Sequence, residues 1–227
     1  MTLKSPGVSV NEPHIQKGNE PYGNYSWYGS NLKSPLVIGI NGIAGAGKDT
    51  VANMVMLSLQ KDHGLNVQCF AFADNLKKAA ATIFNVPLEY FFDRNKKEEV
   101  IPYWNMSPRQ MAQQLGTEAC RKGIRDDIWI KSLESSILTS NVDVAFITDA
   151  RFDNEARFVR KQDAGLVIQI VRDGQKRIAT SDHASEQPLD PDLITFTIKN
   201  VEGNAFVAAA ELQTIVLRTL NNMKDAA

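Results

Sequence analysis

A glycine-rich loop between a buried strand and a helix places the strongest constraint on the fold of this chain. The apolar run at residues 36–40 is followed by the loop GIAGAGKDT at residues 42–50, and a helix pattern comes next. Glycines let a backbone approach phosphate oxygens closely, and a helix N-terminus attracts anions. The order of strand, loop, lysine and helix therefore predicts a phosphate-binding loop (P-loop) in a nucleotide-binding protein.

The P-loop departs from the usual pattern directly after its lysine. Lys48 can reach the β- and γ-phosphates of a nucleotide, so it is predicted to be catalytic. Asp49 stands where Ser or Thr normally follows the lysine, and the hydroxyl comes one position later, at Thr50. Asp49 is either an acidic group beside a metal or a favourable charge at the helix N-terminus. The predicted nucleotide-binding residues are Gly42, Ala44, Gly45, Ala46, Gly47, Lys48, Asp49 and Thr50.

Composition limits the class of protein. A chain of 227 residues, 43% of them hydrophobic, can bury the core of one domain with an inserted lid. Its 25 Lys and Arg against 26 Asp and Glu give no broad basic surface for nucleic acid or acidic membranes. The two cysteines have no metal-binding spacing, and no apolar run reaches the ~18 residues of a membrane span. We therefore expect a cytoplasmic protein without nucleic-acid or membrane partners.

The chain alternates between strand and helix patterns beyond the P-loop. Strands are predicted at residues 36–40, 67–73, 142–148, 166–171 and 193–198, with helices in between and a last helix at 205–220. This alternation predicts an α/β fold of the P-loop NTPase type, with a mainly parallel five-stranded sheet flanked by helices. Residues 36–227 are expected to form this domain, with a helical acceptor and lid region at about 85–138. Residues 1–35 are predicted to be an irregular N-terminal extension.

Asp149 closes an apolar strand and has the form of a Walker B carboxylate. Open α/β folds bind ligands at the carboxyl ends of their strands. Mg²⁺ takes oxygen ligands beside nucleotide phosphates, directly or through water. We therefore predict that Asp149 is catalytic and a metal ligand, with Thr50 as its hydroxyl partner and Asp49 as a further option.

Other polar residues are expected near the same edge of the sheet, where they would bind an acceptor. Arg109 and Gln113 share one helix face and suit a phosphate and a base edge, although a solvated face is the alternative. Trp129 is either a core aromatic or a stacking surface for a base. Arg151 and Glu155 lie four residues apart, so they either form an ion pair or contact the acceptor. Asp74, Lys77 and Lys78 follow the second predicted strand, and one of them is expected to contact the acceptor phosphate. The predicted acceptor-binding residues are Asp74, Lys78, Arg109, Gln113, Trp129, Arg151 and Glu155.

A basic cluster lies between two predicted helices. It contains Arg121, Lys122 and Arg125. Mobile arginines in phosphoryl transfer stabilise the charge on the migrating group and help to exclude water. Arg121 and Arg125 are therefore predicted to be catalytic lid residues, with a basic helix end as the alternative. Arg172 is predicted to end the fourth strand and His183 to lie in the polar loop after it, and both are expected to be solvated.

Several sequence blocks, in order, resemble the deoxynucleoside monophosphate kinases of tailed bacteriophages. They are GKDT at 47–50, LKKA at 76–79, the helix at 109–118 with LGT, DIW at 127–129, TDARFDNE at 148–155 and HASE at 183–186. The resemblance implies a P-loop kinase fold, ATP as donor, Mg²⁺ as cofactor, and phosphorylation of a deoxynucleoside monophosphate to the diphosphate. It does not cover the first 35 residues.

Two other functions stay open on sequence grounds. Gly-Lys-Asp patterns also occur in kinases for other small acceptors, such as dephospho-coenzyme A or phosphomevalonate. A nucleotide-dependent switch or binding protein is the second alternative, since NKKE at 95–98 faintly resembles a guanine-reading motif. The oligomeric state is also open, with a homodimer as one option, and a phage-encoded chain would act in the cytoplasm of its host cell.

Overall fold

The computed structural model describes residues 34–172 and 187–225 of this chain. Apart from Ser34 and Pro35, the predicted N-terminal extension lies outside the described residues. The HASE block at 183–186, with His183, lies outside them as well.

A five-stranded parallel sheet forms the centre of the described part. Its strands are β1 (Leu36–Asn41), β2 (Val67–Phe70), β3 (Val144–Ile147), β4 (Leu166–Arg172) and β5 (Phe196–Asn200). The spatial order is β2-β3-β1-β4-β5, and every neighbouring pair is parallel. Residues 36–40 of β1 are all buried, as expected for a central strand covered on both faces. The P-loop follows this central strand, so the predicted P-loop NTPase fold with a five-stranded parallel sheet is confirmed.

Helices cover both faces of the sheet. The described residues form α1 (Lys48–His63), α2 (Phe72–Phe84), α3 (Glu89–Phe92), α4 (Pro108–Gln113), α5 (Ile128–Ser140), α6 (Asp153–Lys161) and α7 (Ala205–Asp225). A π-helix at Gln114–Arg121 continues α4, and short 3₁₀ turns lie at Lys96–Glu98 and Pro191–Leu193. None of the described helices combines the length and the apolarity needed to cross a membrane.

Two hydrophobic layers lie on opposite faces of the sheet. Leu36, Ile38 and Ile40 of β1 pack in one layer with residues of α1 and α7. Val37 points the other way, into a layer with residues of α5 and α6. This alternation is the two-residue period of a strand, which buries both faces of β1. A smaller cluster between α2, α3 and α4 contains Ala80, Val86, Phe91 and Met111.

Two predicted strands differ from the observed strands by three residues at one end. The strand predicted at 67–73 ends at Phe70, because α2 already begins at Phe72 and a carboxylate from β3's end binds its first N–H groups. The strand predicted at 193–198 runs instead from Phe196 to Asn200. A 3₁₀ turn that begins at Pro191 precedes it, since proline favours the start of a turn.

Candidate active site

The P-loop backbone adopts positive φ angles at three of its glycines. Gly42, Gly45 and Gly47 all have positive φ, at 148°, 79° and 88°. A Cβ on Gly42 would lie 2.4 Å from the carbonyl oxygen of Ile170 in β4, so a larger residue would clash with the sheet. The glycines therefore serve both the turn and its close packing on the strands.

Lys48 is the first residue of α1, and its side chain lies back across the loop. Its Nζ donates hydrogen bonds to the carbonyl oxygens of Gly42, at 2.9 Å, and Ile43, at 3.1 Å. The same side chain lines a cleft at the carboxyl edge of the sheet. A lysine ammonium at a helix N-terminus, beside a glycine-rich loop, is chemically suited to bind phosphate.

The cleft has a volume of about 520 Å³, which is within the range of small-molecule sites. Ten of the predicted site residues line it: Lys48, Asp49, Asp74, Arg109, Gln113, Arg121, Trp129, Asp149, Arg151 and Glu155. The other predicted site residues are not among the residues that line it: Gly42, Ala44, Gly45, Ala46, Gly47, Thr50, Lys78 and Arg125. The structure therefore brings Lys48, Asp49 and most of the predicted acceptor-side residues into one cavity.

Asp149 lies at the carboxyl edge of the sheet, where the sequence predicts it. Its Oδ1 accepts a hydrogen bond from the N–H of Phe72, at 2.7 Å, and its Oδ2 accepts one from the N–H of Ala73, at 3.0 Å. Burial raises the pKa of Asp149, and these two N–H groups oppose that shift. The carboxylate therefore also caps the N-terminus of α2, a structural role that the sequence does not reveal.

Asp49, and not Thr50, is the residue after Lys48 that lines the cleft. Thr50 is exposed and lies about 100° further around α1, because an α-helix has 3.6 residues per turn. The prediction that Thr50 supplies the hydroxyl partner of a metal therefore does not fit this geometry.

Asp49 also affects a neighbouring thiol. Burial and the nearby Asp49 together raise the pKa of Cys69 to about 11.

Carboxylates on the cleft wall provide oxygen donors of the kind that Mg²⁺ prefers. Asp49, Asp74 and Asp149 all line the cavity. No group of three or more His, Cys, Asp or Glu side chains forms a metal site on its own within residues 34–172 and 187–225. Such a sparse set fits Mg²⁺, because this ion is usually bound by one or two carboxylates together with substrate phosphates and water.

Five cations line the other part of the cleft. They are Lys77, Arg94, Lys97, Arg109 and Arg151. The pKa of Lys97 is lowered, first by burial and then by Arg109, with smaller contributions from Lys77 and Arg151. Positive charges that repel one another in a partly buried site favour binding of an anion such as phosphate.

Lys77 occupies the position that the sequence analysis predicts for Lys78. Its Nζ lies 4.1 Å from the centre of the Phe92 ring, at the cleft, whereas Lys78 is exposed. Because α2 begins at Phe72, Lys77 lies one turn beyond Ala73 and Asp74, which also line the cleft. Arg94 and Lys97 were missed as site residues, because they lie in an irregular segment without a periodic signal.

Arg121 is a buried residue of the π-helix, so the predicted mobile lid role does not fit its position. Only 8% of it is exposed. It forms an ion pair with Glu155, donates to the carbonyl oxygen of Asp126 at 3.0 Å, and lies 4.1 Å over the ring of Phe152. Arg125 forms an ion pair with Asp127 outside the cleft lining. A fixed Arg121 can still present positive charge at the cleft wall.

Glu155 is bound within the protein through both of its carboxylate oxygens. Oε2 accepts hydrogen bonds from the backbone N–H groups of Arg151, at 2.9 Å, and Phe152, at 3.1 Å, and Oε1 pairs with Arg121. Burial raises the pKa of Glu155 to about 7, with Asp149 adding to the shift. Glu155 therefore organises the start of α6 and the position of Arg121, which fits poorly with the predicted contact to a base or sugar.

Trp129 is a core aromatic, which is the first of its two predicted roles, and part of its ring also reaches the cleft. It is 7% exposed within the core layer of α5, and its Nε1 donates to the carbonyl oxygen of Gly116 at 3.1 Å. Its remaining surface lines the cleft. Trp129 thus fixes the π-helix and offers an aromatic edge to the cavity.

Comparison with known proteins gives three findings. The family model described as deoxynucleotide monophosphate kinase matches residues 86–204, which is more than half of the chain. The deoxynucleoside-5'-monophosphate kinase of Escherichia phage T5 is 27% identical over 223 aligned positions, which cover 73% of this chain and 89% of the relative. The solved structure of shikimate kinase from Acinetobacter baumannii in complex with shikimate aligns with 82% of this chain and 95% of its own, with 12% identity and a TM-score of 0.41.

Proposed function

Because the chain belongs to the deoxynucleotide monophosphate kinase family and is a nucleotide kinase, we propose that it transfers the γ-phosphoryl group of ATP to a deoxynucleoside monophosphate. The products are ADP and the deoxynucleoside diphosphate. The observation that carries this proposal is that one cleft contains both the P-loop lysine and a separate group of five cations. A kinase with two phosphate-bearing substrates needs both features.

The donor phosphates are bound by the P-loop, its lysine and the N-terminus of α1. Backbone N–H groups of the loop, at residues 42–48, contact the β- and γ-phosphates, and Lys48 neutralises the charge on them. Its two hydrogen bonds to loop carbonyls exchange for contacts with phosphate oxygens, which are stronger acceptors because they are charged.

Mg²⁺ fits the donor side of the cleft. Asp49 and Asp149 would hold the ion directly or through water, with Asp74 as a third oxygen donor nearby. When bound, the ion neutralises charge on the β- and γ-phosphates. Asp149 keeps its hydrogen bonds to α2 in this arrangement, since each carboxylate oxygen has a second lone pair.

The acceptor phosphate is bound by the cationic group. Lys77, Lys97, Arg109 and Arg151 surround it, and Arg109 is held in place by an ion pair with Glu98 at 2.7 Å. Gln113 lies one turn beyond Arg109 on the same face of α4, where its amide can bind a base edge. Phe152 and Trp129 supply the aromatic surface next to the base.

The transfer needs positioning and charge neutralisation, with no covalent enzyme intermediate. An oxygen of the acceptor phosphate attacks the γ-phosphorus, and the bond to the β-phosphate oxygen of ADP breaks. A phosphate monoester is largely ionised at neutral pH, with a second pKa of about 6, so the attacking oxygen needs no general base. Lys48 and the fixed Arg121 stabilise the charge on the migrating group.

Acceptor profiling tests the proposal. ADP release is measured with Mg-ATP and each of the four common deoxynucleoside monophosphates, the matching ribonucleotides, dephospho-coenzyme A and phosphomevalonate. We expect turnover with at least one deoxynucleoside monophosphate, and its loss in Lys48→Ala but not in Lys61→Ala, a lysine near the other end of α1. Turnover only with another acceptor, or ADP release that needs no acceptor, would contradict the proposal.

We further propose that the protein acts on small molecules in the cytoplasm, or in the host-cell cytoplasm if it is phage-encoded. The balanced charge of the chain supports the absence of nucleic-acid and membrane partners. A homodimer remains one option for its assembly, and light scattering coupled to gel filtration tests it.

A further inference from the structure

The carbonyl groups of the P-loop are held from the ends of two neighbouring strands. Asn200 is the last residue of β5, and its Nδ2 donates to the carbonyl oxygen of Ala46 at 2.8 Å. Arg172 is the last residue of β4, and its Nη1 donates to the carbonyl oxygen of Gly45 at 3.2 Å. Arg172 thus ends the fourth strand, as predicted, but its guanidinium contacts the loop and is not simply solvated. The sequence contains no signal for Asn200.

The hydrogen bond from Asn200 fixes the orientation of one peptide group of the loop. The peptide bonds of the described residues are all trans, so a carbonyl and the N–H that follows it point in opposite directions. The Ala46 carbonyl points at β5, and the N–H of Gly47 consequently points away from it. Backbone N–H groups of a P-loop are the groups that bind phosphate, so Asn200 sets the direction of one such donor.

A larger residue at position 47 would displace the Asn200 amide from its place beside the loop. A Cβ on Gly47 would lie 2.3 Å from the Asn200 Nδ2 atom. The positive φ of Gly47, 88°, independently favours glycine. Glycine at position 47 therefore leaves room for the Asn200 amide beside the loop.

Asn200 is also unfavourable for stability at this buried position. Only 7% of it is exposed, and its Oδ1 accepts no hydrogen bond from any described residue. A buried acceptor without a partner costs free energy, and an apolar side chain would avoid that cost. Rotating the amide would not help, because it would place Oδ1 against the Ala46 carbonyl oxygen. The amide at this position provides one hydrogen-bond donor, Nδ2, to the Ala46 carbonyl of the loop.

We propose that Asn200 is a positioning residue for the phosphoryl donor, with Arg172 in a supporting role. Arg172 is itself held by an ion pair with Glu202, in the turn that follows β5. The ends of β4 and β5 therefore orient the peptides of the P-loop for the phosphates of ATP. This inference rests on the proposed function, because it assigns the donor phosphates to the loop.

The test compares Asn200→Ala and Asn200→Asp with Lys199→Ala, an exposed neighbour on the same strand. We expect the KM for ATP to rise about tenfold in both Asn200 variants, while the KM for the deoxynucleoside monophosphate stays within twofold of the wild type. The KM for ATP should rise more in Asn200→Asp than in Asn200→Ala, because a carboxylate oxygen would face the Ala46 carbonyl oxygen and repel it. An unchanged KM for ATP, or an equal rise in both KM values, would overturn the proposal.

Two further measurements keep the test decisive. Glu202→Gln releases Arg172 from an exposed ion pair and should leave the fold intact, and we expect a two- to threefold rise in the KM for ATP. Calorimetric titration with Mg-ATP gives the affinity of each variant without any acceptor. A wild type that binds ATP but phosphorylates no deoxynucleoside monophosphate would refute the proposed function alone, whereas equal ATP affinities of wild type and Asn200 variants would refute the role of Asn200.

Discussion

Two adjacent lysines of α2 provide a matched pair for testing the acceptor site. Lys77 lines the cleft, and its charge contributes to the lowered pKa of Lys97, whereas Lys78 is exposed and outside the lining. We expect Lys77→Ala to raise the KM for the deoxynucleoside monophosphate by tenfold or more, because it loses a charged contact to phosphate. Lys78→Ala should change the KM by less than twofold. Steady-state kinetics on both variants checks this, and equal effects would contradict the placement of α2.

Cys69 gives a chemical readout of the donor side of the cleft. With a pKa of about 11, only about 0.1% of this thiol is ionised at pH 8, compared with about 10% at the ordinary value of 9.0. Since the thiolate is the reactive form, we expect iodoacetamide to alkylate Cys69 roughly 100-fold more slowly than a free thiol. Asp49→Asn removes one cause of the raised pKa, so the reaction should become faster. Mass spectrometry of time points from pH 7 to 10 measures both rates.

A result in which Asp49→Asn leaves the alkylation rate of Cys69 unchanged would show that the two side chains are not close. Alkylation of Cys69 at the rate of a free thiol at pH 8 would contradict its burial.

At the scale of single elements, α4 depends on its N-terminal cap. Ser107 Oγ accepts from the N–H of Gln110 at 3.3 Å, and Gln110 Oε1 accepts from the N–H of Ser107 at 2.9 Å. We expect Ser107→Ala to lower the free energy of unfolding by about 1 kcal/mol, since it leaves a helix N–H without a partner in a site that is 5% exposed. Urea denaturation measures the change. Ser58→Ala, in the second half of α1, is the control; it removes only a surface hydrogen bond to Asp62, at 2.8 Å, and should stay within about 0.5 kcal/mol.

This cap is also an example of what sequence can predict about an element. Ser107 followed by Pro108 is a local signature of a helix start, and α4 begins at Pro108 with Ser107 as its N-cap. The same is true of β1, α1 and the P-loop between them, because strand burial, helix periodicity and glycine turns are properties of neighbouring residues. Local patterns therefore account for the presence and order of most elements.

Features set by distant contacts could not be predicted in this way. The π-helix packs closely at Gly116, where a Cβ would lie 2.6 Å from a methyl carbon of Leu76 in α2, and Trp129 donates a hydrogen bond to the Gly116 carbonyl. The end of β2 depends on Asp149, which lies 77 positions from Phe72 in sequence. Because the start of α2 follows from that contact, the choice between Lys77 and Lys78 could not be made from sequence.

At the scale of the whole molecule, two stretches of chain contribute to one cleft. The P-loop at 42–50, which we propose as the donor side, lies outside the segment that matches the family model, at 86–204. That segment includes the cleft-lining residues Lys97, Arg109 and Arg151, which we propose as part of the acceptor side. The parallel sheet brings the two together, because all its strands end at the same edge.

This arrangement predicts that donor and acceptor stabilise the protein through different residues. A ligand at 100 times its Kd raises the free energy of unfolding by about 2.7 kcal/mol, which corresponds to roughly 5–10 °C in Tm for a chain of this size. We expect Mg-ATP and a deoxynucleoside monophosphate each to raise the Tm of the wild type. Lys48→Ala should lose the shift with Mg-ATP and keep the shift with the monophosphate, and Lys97→Ala should do the opposite. Thermal unfolding followed by circular dichroism gives the six Tm shifts, for the wild type and the two variants with each of the two ligands. If each variant lost both shifts, the two substrates would share one set of contacts, and the division of the cleft into a donor side and an acceptor side would be wrong.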